Sequence, residues 1–297
     1  MKTKQLILSV AILTMVLSLS FIGCRKAPSV NDTDTSAATD NTLAEKTSND
    51  ATTMVQESSE TGSTSSYRNG NENTLTTCAT IKDTNKIITL TFSGGMCNDG
   101  HTRSGIMTID YSQSGTNIYP RNPGFTCVVS TSNYKVDGMP VTINKTITNT
   151  TPNLNPGTNL TWTDNASVSI VKSTGTLSWT SNKVLTLLNT SDQTVYHGQS
   201  TSITWSKAII GLTGSESGTT ATGVNFTVNV TNQLVCDRNC SPNALHPGHH
   251  PFINGTLDFT PGSKPTRHVN FGYPNNGACD DQALVTIGTY TVQIILP

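Results

Sequence analysis

Apolar and polar residues alternate one by one along most of this chain. In "VNFTVNVTN", Phe226, Val228 and Val230 share one phase, and Asn225, Thr227, Asn229 and Thr231 share the other. Successive side chains of an extended strand point to opposite faces, so this is the pattern of an antiparallel strand buried on one side. The same period recurs in "KIITLTF" (Ile88, Leu90, Phe92), "GIMTIDY" (Met107, Ile109, Tyr111) and "TYTVQIIL" (Val292, Ile294, Leu296). Turn clusters such as "NDG", "NPG", "STG" and "SGTT" separate these runs at short intervals, and about fifteen strands are expected. No stretch beyond the N-terminal apolar run shows a convincing helical stripe. The pattern predicts an all-β fold, an antiparallel β-sandwich or elongated β-roll.

Three strands share a local signature: "NLTWT" with Trp162, "TLSWT" with Trp179 and "SITWS" with Trp205. Leu160, Leu177 and Ile203 stand two positions earlier and therefore on the same face as each indole. A tryptophan flanked in phase by an aliphatic residue is expected in the core, not as an exposed platform for sugar rings. These are all the tryptophans of the chain, so little is left for aromatic glycan binding.

The N-terminus departs from this pattern. Lys2 and Lys4 precede an apolar run from Leu6 to Ile22 that ends in Gly23-Cys24. A basic start, a short apolar run and a small residue at the cleavage point are the marks of a secretion signal. Because the run leads into a cysteine, residues 1–23 are expected to be a lipoprotein signal peptide, with Cys24 as the lipidated mature N-terminus. Arg25, where an Asp would favour the inner membrane, points to the outer membrane. Residues 24–74 hold Ser, Thr, Asn and Asp with few large apolar side chains, a composition expected to stay disordered as a tether. Residues 75–297 are then expected to form a single disulfide-stapled β domain.

Composition narrows the partners. Charged residues make up 12% of the chain, and the formal net charge is -1. A typical protein has about 25% charged residues. There is no basic patch to suggest nucleic acid, so the expected partners are the membrane, through the N-terminal lipid, and an envelope protein or glycan.

Seven cysteines divide into the lipidation site and six others, an even number in an oxidising compartment. Cys78 and Cys97 are expected to pair, because a hairpin through "KDTN" brings the two strand ends together. Closing a loop of that size contributes on the order of 3 kcal/mol. A second bridge is expected from Cys279 to Cys236 or Cys240, with Cys127 taking the remaining one. The stretch "LVCDRNCSPNALHPGHHPF" also carries His246, His249 and His250. With its sulfurs in bridges and a spacer far shorter than a zinc finger's, it leaves three imidazoles as weak candidates for a metal. No metal or other cofactor is otherwise expected.

Other constellations are thinner. "CNDGHTRSG" contains Asp99, His101, Arg103 and Ser104, an acid, a base and a nucleophile by type, but Asp99-Gly100 reads first as a tight turn. "GSESG" places Glu216 where a nucleophile elbow requires Ser. Asp280-Asp281 offers too few oxygens for calcium and reads as a turn. Sequons at Asn144, Asn159 and Asn229 follow from Thr- and Asn-rich strands and imply no glycan.

Several of these segments together resemble a known family: "CATI…IITLTFSGGMCNDGHTRSGIMTIDYS", "NYKVDGMPVTINKTITN", "GVNFTVNVTNQLVC" and "GTLDFTP…RHVNFGYPNNGACDDQALVTIGTYTVQIIL". They are similar to a Bacteroidota family of all-β lipoproteins to which no activity is assigned, and the likeness runs from Cys78 to Leu296. It implies an exported all-β lipoprotein. Its motifs are structural corners, and the expanded histidine loop departs from them. The expectation is a non-enzymatic outer-membrane lipoprotein with a structural or binding role. The alternatives are metal binding at 246–250 and a hydrolase near His101.

Overall fold

The computed structural model describes residues 36–60, 78–97, 99–117, 119–152, 159–189, 205, 208–240, 252–280 and 282–295. They form one helix, α1 (Ser36–Glu60), and thirteen strands: β1 (Ala79–Thr84), β2 (Ile87–Met96), β3 (Thr102–Asp110), β4 (Thr126–Val136), β5 (Met139–Asn149), β6 (Thr161–Lys172), β7 (Gly175–Leu187), β8 (Ile209–Thr219), β9 (Asn225–Asp237), β10 (Phe252–Pro261), β11 (Arg267–Asn270), β12 (Gln282–Ile287) and β13 (Tyr290–Ile295). Each strand pairs antiparallel with the next, so one meandering sheet runs from β1 to β13 in chain order. The expected all-β antiparallel architecture is present, with all thirteen described strands hydrogen-bonded in one sheet.

The alternation explains the sheet. Ile88, Leu90, Phe92, Met107, Ile109, Phe226 and Val228 are buried, and their out-of-phase neighbours face water. Hairpin chemistry sets the register. Asn85 and Lys86 both adopt positive φ, as do Asp137 and Gly138, which suits two-residue turns whose twist matches the flanking strands. Bulges bend the sheet. At Gly214, φ is +126° and an added Cβ would lie 2.1 Å from the Asn182 carbonyl oxygen, so only glycine fits where β8 slips against β9.

The helix is the main departure from expectation. Within the segment 24–74, whose composition predicts a disordered tether, residues 36–60 form α1 and pack on the core faces of β5, β6, β7 and β10. From Ala51 to Glu57 seven consecutive residues are buried, about two full turns, so this end of the helix is covered on all sides. The helix escapes hydrophobic patterning because Asp40, Asn41, Glu45, Ser48, Thr52 and Thr53 are buried beside Ala44, Ala51, Met54 and Val55. No described helix is long and apolar enough to cross a membrane.

All three tryptophans are buried, as their in-phase neighbours predict: Trp162, Trp179 and Trp205 are at most 3% exposed. Trp162 and Trp205 meet edge to face with centroids 5.9 Å apart. Each indole N–H finds a partner, Trp162 donating to the Pro120 carbonyl, Trp179 to Asn41 and Glu216, and Trp205 to Thr53. The core is thus apolar in bulk but polar along its contact with α1.

Candidate functional site

Three places gather polar chemistry: the core lined by α1, the corner at His101 and the outer face of the sheet. In the core, several strands carry a charge in the phase of the alternation that points inward. Lys145 lies between Ile143 and Ile147, Asp164 between Trp162 and Ala166, and Lys183 between Ser181 and Leu185, all six neighbours being buried. α1 meets these groups in order. Lys172 pairs with Asp40. Lys183 sits 2.7 Å from Glu45 of the helix and 2.5 Å from Glu216 of β8. Lys145 donates to the Ser48 carbonyl and hydroxyl, both at 2.8 Å, and pairs with Asp164 at 2.9 Å, while the Thr52 hydroxyl donates to the other Asp164 oxygen at 2.8 Å. Arg103 pairs with Asp50 at 3.1 Å and with Asp99 at 2.6 Å.

Burial sets the electrostatics of this ladder. Glu216 is pushed up to about 7, first by burial and then by the charge of Glu45, against the opposing pull of Lys183. Burial also raises the Asp50 carboxyl. The Lys145 ammonium is lowered by burial in spite of Asp164. For Lys183 burial opposes the charge, yet two carboxylates overcome it and hold the ammonium above its usual range. These groups neutralise one another across the helix–sheet contact. Their arrangement serves to hold α1.

At the corner between β2 and β3, Asp99-Gly100 forms the turn its sequence predicts, the Gly100 N–H donating to the Cys97 carbonyl. The four candidate side chains of this segment do not form a triad. Asp99 is engaged by the Arg103 guanidinium, and Arg103 turns inward to α1. His101 meets Asp137 instead, Nδ1 to Oδ2 at 2.6 Å, and the same carboxylate accepts the Thr102 N–H and hydroxyl. Burial opposes the Asp137 charge, but the bonds from His101 and Thr102 outweigh it and hold its carboxyl below the usual range. A second pair of this kind joins His268 and Asp258 at 2.6 Å across β10 and β11. Both pairs orient an imidazole, and neither brings a hydroxyl or thiol nucleophile to it among the described hydrogen bonds.

The outer face of the sheet is the most extended feature. Following the register from strand to strand, one row runs Thr89, Thr108, Ser130, Asn144, Ser167, Thr180, Ser217, Thr227 and Thr260. A hydroxyl or amide stands at every step from β2 to β10, with no charge and no aromatic ring. Hydroxyl pairs bond across strands within this row, Thr180–Ser217 at 3.1 Å, and beyond it, Thr126–Thr148 at 2.9 Å and Thr231–Thr256 at 2.7 Å. Strands stand about 4.8 Å apart, so this row spans on the order of 40 Å of regularly spaced donors and acceptors. This row is polar where the outward band of a transmembrane barrel is apolar.

The cysteines resolve into two bridges. Cys78 joins Cys97, with Cα atoms 4.8 Å apart, as the hairpin predicts. Cys240, of the two alternatives, joins Cys279. The third bridge is not formed: Cys127 and Cys236 are free thiols, Cys127 on β4 facing the core and Cys236 on β9. Burial pushes them up to about 12 and about 11, respectively. Among the described residues, the one grouping with metal-ligand spacing is Asp237, Cys240 and Cys279, but its two sulfurs are bonded to each other, which leaves a single carboxylate. Asp280 caps its own turn by accepting the Gln282 N–H, the turn role its sequence predicts. Cys24, His246, His249, His250 and Asp281 lie outside the described residues.

Comparison with known protein families, curated proteins and solved structures finds no match. The chemistry of this chain must therefore be read from its own geometry. The residues that sequence reasoning missed are the inward charges and their helical partners. Their available signal was the phase of Lys145, Asp164 and Lys183 within apolar alternation.

Proposed function

We propose that this protein is a non-enzymatic envelope protein, held at the outer membrane by lipid on Cys24, whose polar sheet face binds or packs against other envelope components. The observation that carries this reading is the unbroken outer row of hydroxyls and amides across nine strands. A lattice of uncharged donors and acceptors suits a hydrated, hydroxyl-rich or amide-rich partner, since each contact replaces a water bond with one of similar strength. The buried charges support the same reading, because they are engaged with α1 and with one another. The resemblance to Bacteroidota lipoproteins agrees with an exported, anchored chain.

The test is a photo-crosslinking residue placed at Thr180, Ser217 or Thr227 in intact cells, beside a control at the buried Trp179. A recurring envelope adduct from the outer-face positions is expected. Its absence from all three would sink the binding role. Metabolic labelling with palmitate, lost in Cys24→Ala, checks the anchor separately.

A further inference from the structure

The two edges of the sheet are built differently. At β1, Asp83 stands opposite the buried Ile88 and is held by the Tyr111 hydroxyl at 2.9 Å, while Lys82 stands opposite Thr89 on the outer face. A charge turned toward the core side and a lysine on the edge are the devices that stop a sheet from accepting another strand. At the other edge, β13 carries neither. Its six residues, Tyr290 to Ile295, contain no charge and no proline, and they pair with β12 without a bulge from Gln282–Ile295 to Ile287–Tyr290. Among the described residues no strand pairs with its far side.

The side chains of β13 are correspondingly under-covered. On β12 the core-facing Ala283 and Val285 are 0% and 7% exposed. Their partners on β13, Ile294 and Val292, are only half-buried, Tyr290 on the same face is 40% exposed, and Ile295 on the outer face is 79% exposed. The core layer thus continues onto this strand and, among the described residues, stops without a covering strand.

We infer that β13 pairs antiparallel with β13 of a second copy of this chain, about a two-fold axis normal to the sheet through Val292. Opposed residues of an antiparallel pair share a face, so only registers that oppose even with even positions continue the core. With Val292 opposite itself, Tyr290 faces Ile294 on the core side and Thr291 faces Gln293 on the outer side. Apolar meets apolar, polar meets polar, and the outer lattice runs through the junction. A second copy is the occupant because the strand is complementary to itself: the two-fold brings no like charges together, whereas at β1 an axis through Lys82 or through Asp83 would set that charge against its own copy. The resulting contact is isologous and closed.

The experiment uses residues 24–297 carrying Cys24→Ser. Sedimentation equilibrium is expected to show a dimer, and Val292→Lys, which sets two ammonium groups across the axis, is expected to weaken association at least tenfold. Ile81→Lys on the opposite edge should leave the dimer intact. Fluorescence of the buried tryptophans monitors the fold of each variant. Where Val292→Lys does not fold, Val292→Cys replaces it: mild oxidation should bridge two copies, because opposed residues lie within disulfide reach, while Gln293→Cys should stay unlinked. A monomer at about 100 μM, a dimer indifferent to Val292→Lys, or crosslinking through Gln293→Cys in place of Val292→Cys would each overturn the proposal.

Discussion

Lys183→Met tests the helix–sheet ladder at its centre. Methionine keeps the length and apolar stem of the lysine but removes the ammonium that lies 2.7 Å from Glu45 and 2.5 Å from Glu216. All three side chains are under 10% exposed, so water cannot replace the lost partner. The protein then has two courses. Leaving both carboxylates charged and unpaired costs about 3–5 kcal/mol, the usual penalty for removing one partner of a buried ion pair. The alternative is to hold a carboxyl neutral. Glu216 already sits at about 7 in the intact protein, so its protonation near neutrality adds little. Keeping a second glutamate neutral at pH 7.5, about three units above the ordinary glutamate range, costs about 4 kcal/mol. The two estimates agree, and the expected loss at pH 7.5 is about 4 kcal/mol. At pH 5 the second course costs only about 1 kcal/mol, because an ordinary glutamate is then partly protonated in the unfolded chain too. Urea unfolding followed by tryptophan fluorescence reads the difference directly, since Trp179 lies beside Lys183, 5.3 Å from ring centroid to ammonium. A loss below about 1 kcal/mol at pH 7.5, or an equal loss at the two pH values, would refute the picture of a buried ion triad holding α1.

Glu216→Gln should act on pH dependence. A carboxyl raised to about 7 in the folded protein from an ordinary 4.5 contributes fully below pH 4.5 and loses that contribution as pH rises through 7. Its share of the fall is on the order of 3 kcal/mol, so stability measured from pH 4.5 to 8 should decline less in the glutamine variant; an unchanged slope would count against it. Gly214→Ala must fit a methyl group 2.1 Å from the Asn182 carbonyl oxygen at φ +126°. Its denaturation midpoint should report a loss of more than about 1 kcal/mol, and a neutral result would show that the bulge relaxes freely. Thiol titration of residues 25–297 without reductant should find no reactive group in the native protein and two after unfolding, Cys127 and Cys236. Recovery of none after unfolding would mean that they form the third bridge.

What the sequence reveals depends on how far apart the interacting residues lie. Alternation reports each strand from its own neighbours, and the bridge between Cys78 and Cys97 is legible because a two-residue turn at Asn85-Lys86 folds one strand directly onto the next. The choice between Cys236 and Cys240 for Cys279 was open because both flank the end of β9, and Cys279 lies between β11 and β12, where no alternation marks its partner. The partner of His101 was missed for the same reason. Asp137 is 36 residues away at another hairpin, so the neighbouring Asp99 and Ser104 suggested a constellation that the fold does not assemble.

The helix was hidden more deeply. Hydrophobic periodicity measures transfer from water into oil, and α1 is buried by ion pairs and hydrogen bonds whose partners stand 53 to 181 residues along the chain. Its close-packed stripe, Ala37, Asn41, Ala44, Ser48, Ala51 and Val55, repeats at four and three residues but five of its six members are polar or small, so it reads as solvated. The sheet nevertheless announces the need for such a partner. Lys145 and Lys183 occupy the phase of Ile143, Ile147, Leu177 and Leu185, and an ammonium does not enter a core without a counter-charge. On β3 to β8 the buried strand positions hold the cations Arg103, Lys145 and Lys183 against the carboxylates Asp164 and Glu216. That imbalance requires acids from outside the sheet, and Glu45 and Asp50 of α1 supply them. In a chain this poor in charge, a lysine out of phase with its strand therefore points to an unseen acidic element elsewhere. The segment richest in Asp, Glu and Ala before the first strand is the place to look for it.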